Sequence, residues 1–114
     1  MPLLRIQTNV PRTAEETEEL LRRASATVAE LLGKPERYVM VSIEHAPHMY
    51  FGGSADGLAY CELKSIGLPE DRTAEISERM CGLLGEHLGI GSDRVYIEFA
   101  DAQRHLWGWN GATF

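Results

Sequence analysis

No run in this chain approaches the roughly 20 consecutive apolar residues of a membrane-crossing helix, so no membrane insertion is expected. Cysteine is scarce. Cys61 and Cys81 stand far apart, which excludes a CxxC redox or zinc pair and points to reduced, mostly buried thiols. Positive charge is in deficit, with 11 Lys and Arg against 17 Asp and Glu and a net charge of -6. That balance argues against nucleic acid as a partner, because phosphate binding needs a basic patch. His45, His48, His87 and His105 are scattered without ligand spacing, so no metal site is expected. Ser54, Ser65 and Ser92 lack the context of a nucleophile elbow. The first residues hold no basic segment followed by an apolar core. No secretory signal is read, and the expected address is the cytoplasm.

What is present reads as one domain of 114 residues. Leu3 to Thr8 alternates as a strand, with Leu4, Ile6 and Thr8 on one side and Leu3, Arg5 and Gln7 on the other. Thr13-Ala14-Glu15-Glu16 is a capping box. The apolar spacing after it predicts a helix over 14–32, stopped by Gly33 and Pro35. Tyr38 to Glu44 is rich in β-branched residues and reads as a strand, followed by a long loop from His45 to Gly57. Leu58 to Ile66 is the next strand. A second helix is expected over about 72–88, stopped by Gly89, then a strand over Arg94 to Ala100. The tail from His105 to Phe114 is too apolar to hang free, and Leu106 to Trp109 is expected to pair as a short strand.

The order is β-α-β twice. Arg12-Thr13-Ala14-Glu15 recurs as Arg72-Thr73-Ala74-Glu75, and Leu32-Gly33 is matched by Leu88-Gly89. A duplication, about 1–56 and 57–114, is the expected origin. The fold class is therefore two-layer α/β: a four-stranded mixed sheet with two helices on one face, because right-handed crossovers put both there, plus the short C-terminal strand. Two helices cover one face only. The opposite face is expected to be apolar and buried in an oligomer; a trimer enclosing the sheets satisfies this, though composition does not set the number.

Pro2 raises a chemical question. An internal proline nitrogen is an amide, but removal of Met1 leaves a free secondary amine; the alternative is an inert second residue. A terminal amine ordinarily titrates near 8. An apolar setting from Leu3, Leu4 and Ile6 and a nearby cation both lower that value toward a neutral base. Lys34 is the candidate cation, the alternative being a solvated charge favoured at a helix C-terminus.

Several segments carry a resemblance. Met1-Pro2-Leu3, Thr8-Asn9-Val10-Pro11-Arg12, Gly33-Lys34-Pro35, Phe51-Gly52-Gly53-Ser54, Ser65-Ile66-Gly67, Cys81-Gly82-Leu83-Leu84, Asp93-Arg94-Val95-Tyr96-Ile97, Gly108-Trp109-Asn110 and Thr113-Phe114 run in order over essentially the whole chain. Together they resemble the macrophage migration inhibitory factor branch of the tautomerase superfamily. The resemblance implies a homotrimer with active sites between subunits and no cofactor. It implies Pro2 as general base in keto-enol interconversion of phenylpyruvate-like or dopachrome-like compounds, an α-keto acid or enol being the small-molecule partner. Lys34 binds the carboxylate or the developing oxyanion, with the Ser65-Ile66 segment orienting the substrate through the Ile66 backbone. Tyr96 enters from the neighbouring subunit, and Tyr38, Trp109 and Phe114 match aromatic positions at the rim.

Three departures bear on this. Glu98 stands where animal members commonly carry Asn, and a carboxylate there opposes an anionic substrate and acts to raise the Pro2 pKa. The animal CxxC is reduced to Leu58-Ala59-Tyr60-Cys61, so no thiol-disulfide activity is expected. Trp107 replaces a smaller residue and narrows the expected site. The competing function is a cytokine-like protein acting through a receptor, reached by leaderless secretion, with the pocket vestigial. A further alternative is a structural trimer that binds without turnover.

Overall fold

Thr13 sets where the first helix begins. Its hydroxyl accepts from the Glu16 N–H at 3.1 Å, and the Glu16 carboxylate accepts from the Thr13 N–H at 2.8 Å. Such a reciprocal cap contributes about 1 kcal/mol. Helix α1 then runs over Ala14–Leu32 as expected. Gly33 ends it in the left-handed region at φ 61°, and the Lys34 N–H turns back to the Ala29 carbonyl. Residues with a Cβ are strained at that φ, so glycine sets where the chain leaves the helix and where Lys34 starts.

The computed structural model describes residues 1–114. Strands β1 (Leu3–Thr8), β2 (Met40–His45), β3 (Ala59–Ile66) and β4 (Val95–Ala102) form one sheet in the order β2-β1-β3-β4. β1 is parallel to β2 and β3 to β4, each pair joined through a helix, while β1 and β3 meet antiparallel at the centre. Helix α2 spans Thr73–Leu88. Its entry is tied to the end of α1 by Arg72, whose guanidinium donates to the otherwise unpaired Leu31 carbonyl at 3.0 Å. No helix is long and apolar enough to cross a membrane.

The core lies between the sheet and both helices. Leu4, Ile6, Cys61 and Leu63 from the strands pack with Leu20, Val28, Ile76, Met80 and Leu84 from α1 and α2 in one cluster of 16 buried residues. Because strand side chains alternate, a single face of β1 and β3 supplies all the strand members. Burial, with Cys81 adding to it, pushes the Cys61 thiol up to about 12, so it stays protonated at neutral pH.

Three expectations need correcting. Tyr38 is not in a strand; Glu36–Tyr38 forms a 3-10 turn after Pro35, and β2 starts at Met40. The C-terminal strand does not begin at Leu106, which belongs to a 3-10 turn over Arg104–Leu106. Gly108–Trp109 (β5) pairs instead with Ala112–Thr113 (β6) in a hairpin separate from the main sheet. The third correction is the largest. The open face of the sheet is mixed rather than apolar: Arg5, Gln7, Ser42, Glu44, Tyr60, Glu62, Lys64 and Glu98 occupy most of it, with Leu3, Met40, Tyr96 and Ala100 among them by register and alternation, and Arg5 and Glu62 form a salt bridge at 2.9 Å. Burial of an apolar sheet face therefore gives no reason for an oligomer.

Candidate active site

The start of β1 is clamped. The Pro2 carbonyl accepts from the Met40 N–H at 2.9 Å, and Pro2 itself is buried. The Met1 ammonium, one residue out, donates to the Tyr38 carbonyl at 2.7 Å. Leu3 pairs with Lys64, which sets Pro2 level with Ser65 at the end of β3. Ser65 is fully buried, its hydroxyl donating to the Ile66 carbonyl at 3.2 Å, and Ile66 is buried beside it.

Lys34 reaches the same end of the sheet from the helix layer. Its Nζ lies 3.9 Å from the position a Cβ on Gly67 would take, immediately beyond Ile66. The terminal amine feels this cation. Burial first, and Lys34 second, hold the Met1 amine below the ordinary range of a chain terminus. The sign fixes a prediction: Lys34→Gln removes a like charge, so the protonated amine is less disfavoured and its pKa rises. Acylation of the terminal amine followed against pH is expected to show a midpoint at higher pH in the variant. An unmoved midpoint would remove Lys34 as a partner of the terminus.

Above this end lies a cleft of about 430 Å³, lined by Met1, Pro2, Tyr38, Trp107, Trp109 and Phe114 among others. The aromatic wall is ordered by ring geometry. Trp109 and Phe114 stack at 5.2 Å and 13°. Tyr38 meets Trp109 edge-on at 5.5 Å and Phe114 at 5.6 Å, both favoured arrangements. The β5–β6 hairpin presents Trp109 to this wall. Its turn is Asn110-Gly111, both at positive φ (54° and 73°), the backbone that two-residue hairpins require. That dipeptide is a strong hairpin signal and marks the turn that an expected strand over Leu106 to Trp109 left out.

Tyr96 and Glu98 are elsewhere. Tyr96 is four residues along and two strands across from Leu3 in the register, on the order of 16 Å away. It is 66% exposed and packs on Phe51 at 4.6 Å. Glu98 is exposed on the open face, where the Tyr60 hydroxyl donates to it at 3.5 Å. Within one chain, then, Pro2, Lys34, Ser65 and Ile66 converge with Tyr38, Trp109 and Phe114, while Tyr96 stays near the far end of the sheet and Glu98 lies midway along β4, level with Glu62 and Arg5. Arg37, which also lines the cleft, was not among the expected site residues; its position directly before Tyr38 was the available signal. No group of three or more His, Cys, Asp or Glu side chains is placed to hold a metal.

A model of the family described as macrophage migration inhibitory factor (MIF) matches residues 1–114. The macrophage migration inhibitory factor of Meriones unguiculatus is 40% identical over 117 residues, covering 100% of this chain and 99% of that protein. A homologue from Brugia malayi is 40% identical over 116 residues, again covering 100% and 99%. The crystal structure of a homologue from Prochlorococcus marinus superposes with a TM-score of 0.92 at 49% identity over 98% of each chain. A match through every residue, carried on a shared backbone, shows the lineage: the chain belongs to the macrophage migration inhibitory factor family, with the fold of the tautomerase superfamily.

Proposed function

We propose that this protein is a cofactor-free keto-enol tautomerase whose base is the secondary amine of Pro2, freed by removal of Met1. The observation that carries the reading is the terminal amine itself, lowered by burial and by Lys34 at the inner end of an aromatic cleft. Removal of Met1 transfers the chain terminus by one residue, into the same surroundings. A neutral Pro2 amine takes a proton from the carbon next to the keto group of a phenylpyruvate-like or dopachrome-like substrate. The electron pair left on carbon delocalises to oxygen, where Lys34 and the backbone at Ile66 stabilise it. The Pro2 ammonium then returns the proton to the oxygen, and the base is regenerated without net consumption of any reagent. Tyr38, Trp109 and Phe114 hold the ring of the substrate and exclude water.

The site is completed between copies. Tyr96 and Glu98 are too far from Pro2 in one chain to join it, so a neighbouring subunit supplies them in a homotrimer. This split site, together with family membership, supports the trimer. We also read the chain as a single domain formed by duplication, about 1–56 and 57–114; the two parallel β-α-β units in the same order support this.

Conversion of phenylpyruvate by the Met1-processed protein against Pro2→Ala tests the base. A large loss is expected, and equal rates would remove Pro2 from the role. A second reading, cytokine-like action through a receptor, is favoured by the names of the mammalian relatives, among them the rat and mouse macrophage migration inhibitory factors. A surface-variant scan in a receptor-binding assay separates it, since loss of Pro2 chemistry leaves such contacts in place.

A further inference from the structure

Nine arginines occur in the chain, and most are committed. Arg5, Arg22, Arg23, Arg72 and Arg79 each form a salt bridge with a glutamate. Arg12 and Arg94 donate to backbone carbonyls. Arg37 and Arg104 make neither kind of contact, although the chain carries an excess of acids, and of these two only Arg37 lines the cleft. Its neighbour Glu36 is turned toward α1, where it accepts from the Ser25 hydroxyl at 2.9 Å. The Arg37 guanidinium instead lies over the Tyr38 ring, 4.7 Å from its centre, the same ring that meets Trp109 and Phe114 edge-on. It is the one charged side chain lining the aromatic cleft.

A planar cation held by stacking keeps its N–H donors free, and those donors match a carboxylate in a paired, two-bond geometry. Stacking also removes much of the side-chain disorder that makes exposed ion pairs weak. Lys34 stands apart from this group, at the turn after β3. We infer that Arg37 is a specificity-determining residue that selects substrates carrying a second anionic group on the ring, in addition to the carboxylate beside the keto carbon. The inference rests on the proposed tautomerase reading for its substrate class. A ring seated against Tyr38, Trp109 and Phe114 brings a carboxylate substituent within reach of the guanidinium. The protein is thereby matched to aromatic dicarboxylates over neutral aryl keto acids.

Two paired measurements on the Met1-processed full chain test this. The first compares kcat/KM for 4-carboxyphenylpyruvate and phenylpyruvate. The second compares binding of 4-carboxycinnamate and cinnamate, followed by quenching of Trp107 and Trp109 fluorescence. Wild type is expected to favour the ring-carboxylated member of each pair by about fivefold to tenfold. Arg37→Gln is expected to bring both ratios close to one, and Arg37→Lys to recover only part of the preference, because an ammonium cannot make the paired contact. Equal binding of the two cinnamates by wild type, or a preference that survives Arg37→Gln, overturns the inference. If neither keto acid is converted while the binding preference stands and depends on Arg37, the selectivity holds and the proposed chemistry is what fails.

Discussion

Protein that keeps Met1 is expected to convert phenylpyruvate roughly 100-fold to 10,000-fold more slowly than protein from which Met1 has been cleaved, the range that a positioned general base supplies. The reason is covalent. With Met1 attached, the Pro2 nitrogen is a tertiary amide whose lone pair is delocalised into the carbonyl, so it has neither a proton to give nor basicity to take one. The amine that remains belongs to Met1, and it is engaged with the Tyr38 carbonyl. The Met1 side chain also occupies the lining of the cleft. Pro2→Ala is the milder lesion, because cleavage before Ala still leaves a terminal amine, primary and without the ring that fixes its direction. The expected order of rates is processed wild type, then Pro2→Ala, then Met1-retained protein. Intact mass assigns each preparation, and a Met1-retained preparation as active as the processed one would exclude the Pro2 amine as base.

Replacing Arg94 is expected to cost about 3 kcal/mol of stability, because hydrogen bonds from a charged donor each contribute roughly 1.5–3 kcal/mol and are not additive. Arg94 leads into β4, and its guanidinium gathers the long loop between β2 and β3. It donates to the carbonyls of Phe51 at 2.7 Å, Asp56 at 2.8 Å, Ser54 at 3.2 Å and Gly57 at 3.3 Å. It also lies 5.1 Å from the centre of the Phe51 ring. Arg94→Ala removes a donor from all four carbonyls, of which those of Phe51 and Ser54 keep only the backbone bonds they exchange with each other, and it releases Phe51, the ring on which Tyr96 packs. In a domain of this size the loss corresponds to a fall of roughly 15 °C in Tm, read by thermal or denaturant unfolding. Arg94→Lys is expected to recover little, since one ammonium cannot span the four acceptors. An Arg94→Ala protein within about 0.5 kcal/mol of wild type would show that the loop is held by other contacts. If the trimer shares its sites, the same variant also weakens the half-site that carries Tyr96.

Local elements were legible in the sequence where a short-range physical rule governs them. The capping box at Thr13 and Glu16 and the stop at Gly33 bound α1 at the residues observed. Alternation put Leu4, Ile6 and Thr8 on one side of β1, and that side is the buried one. The error over the open sheet face came from counting apolar residues in the strands without dividing them by face. Arg5, Ser42, Glu44, Glu62, Lys64 and Glu98 all fall on the alternate positions beside Leu3, Met40, Tyr96 and Ala100, and a two-residue period applied to each strand predicts a mixed face with charge at its centre. The start of β2 was misplaced because the aromatic and β-branched content of Tyr38-Val39 outweighed the turn that Pro35 initiates.

The sequence by itself determined the β-α-β order, the ends of α1, the rarity of thiols and basic charge, and Pro2 as the residue that cleavage of Met1 exposes. These depend on neighbouring residues or on composition. Only the tertiary structure decided that Lys34, at the end of a helix, reaches the turn after β3, and that Tyr38, Trp109 and Phe114 close into one wall. It alone showed Arg37 unpaired at that wall and Tyr96 at the opposite end of the sheet from Pro2. Each of those facts joins segments distant in sequence, and their distances follow from strand register and helix packing, which the order of the residues does not display.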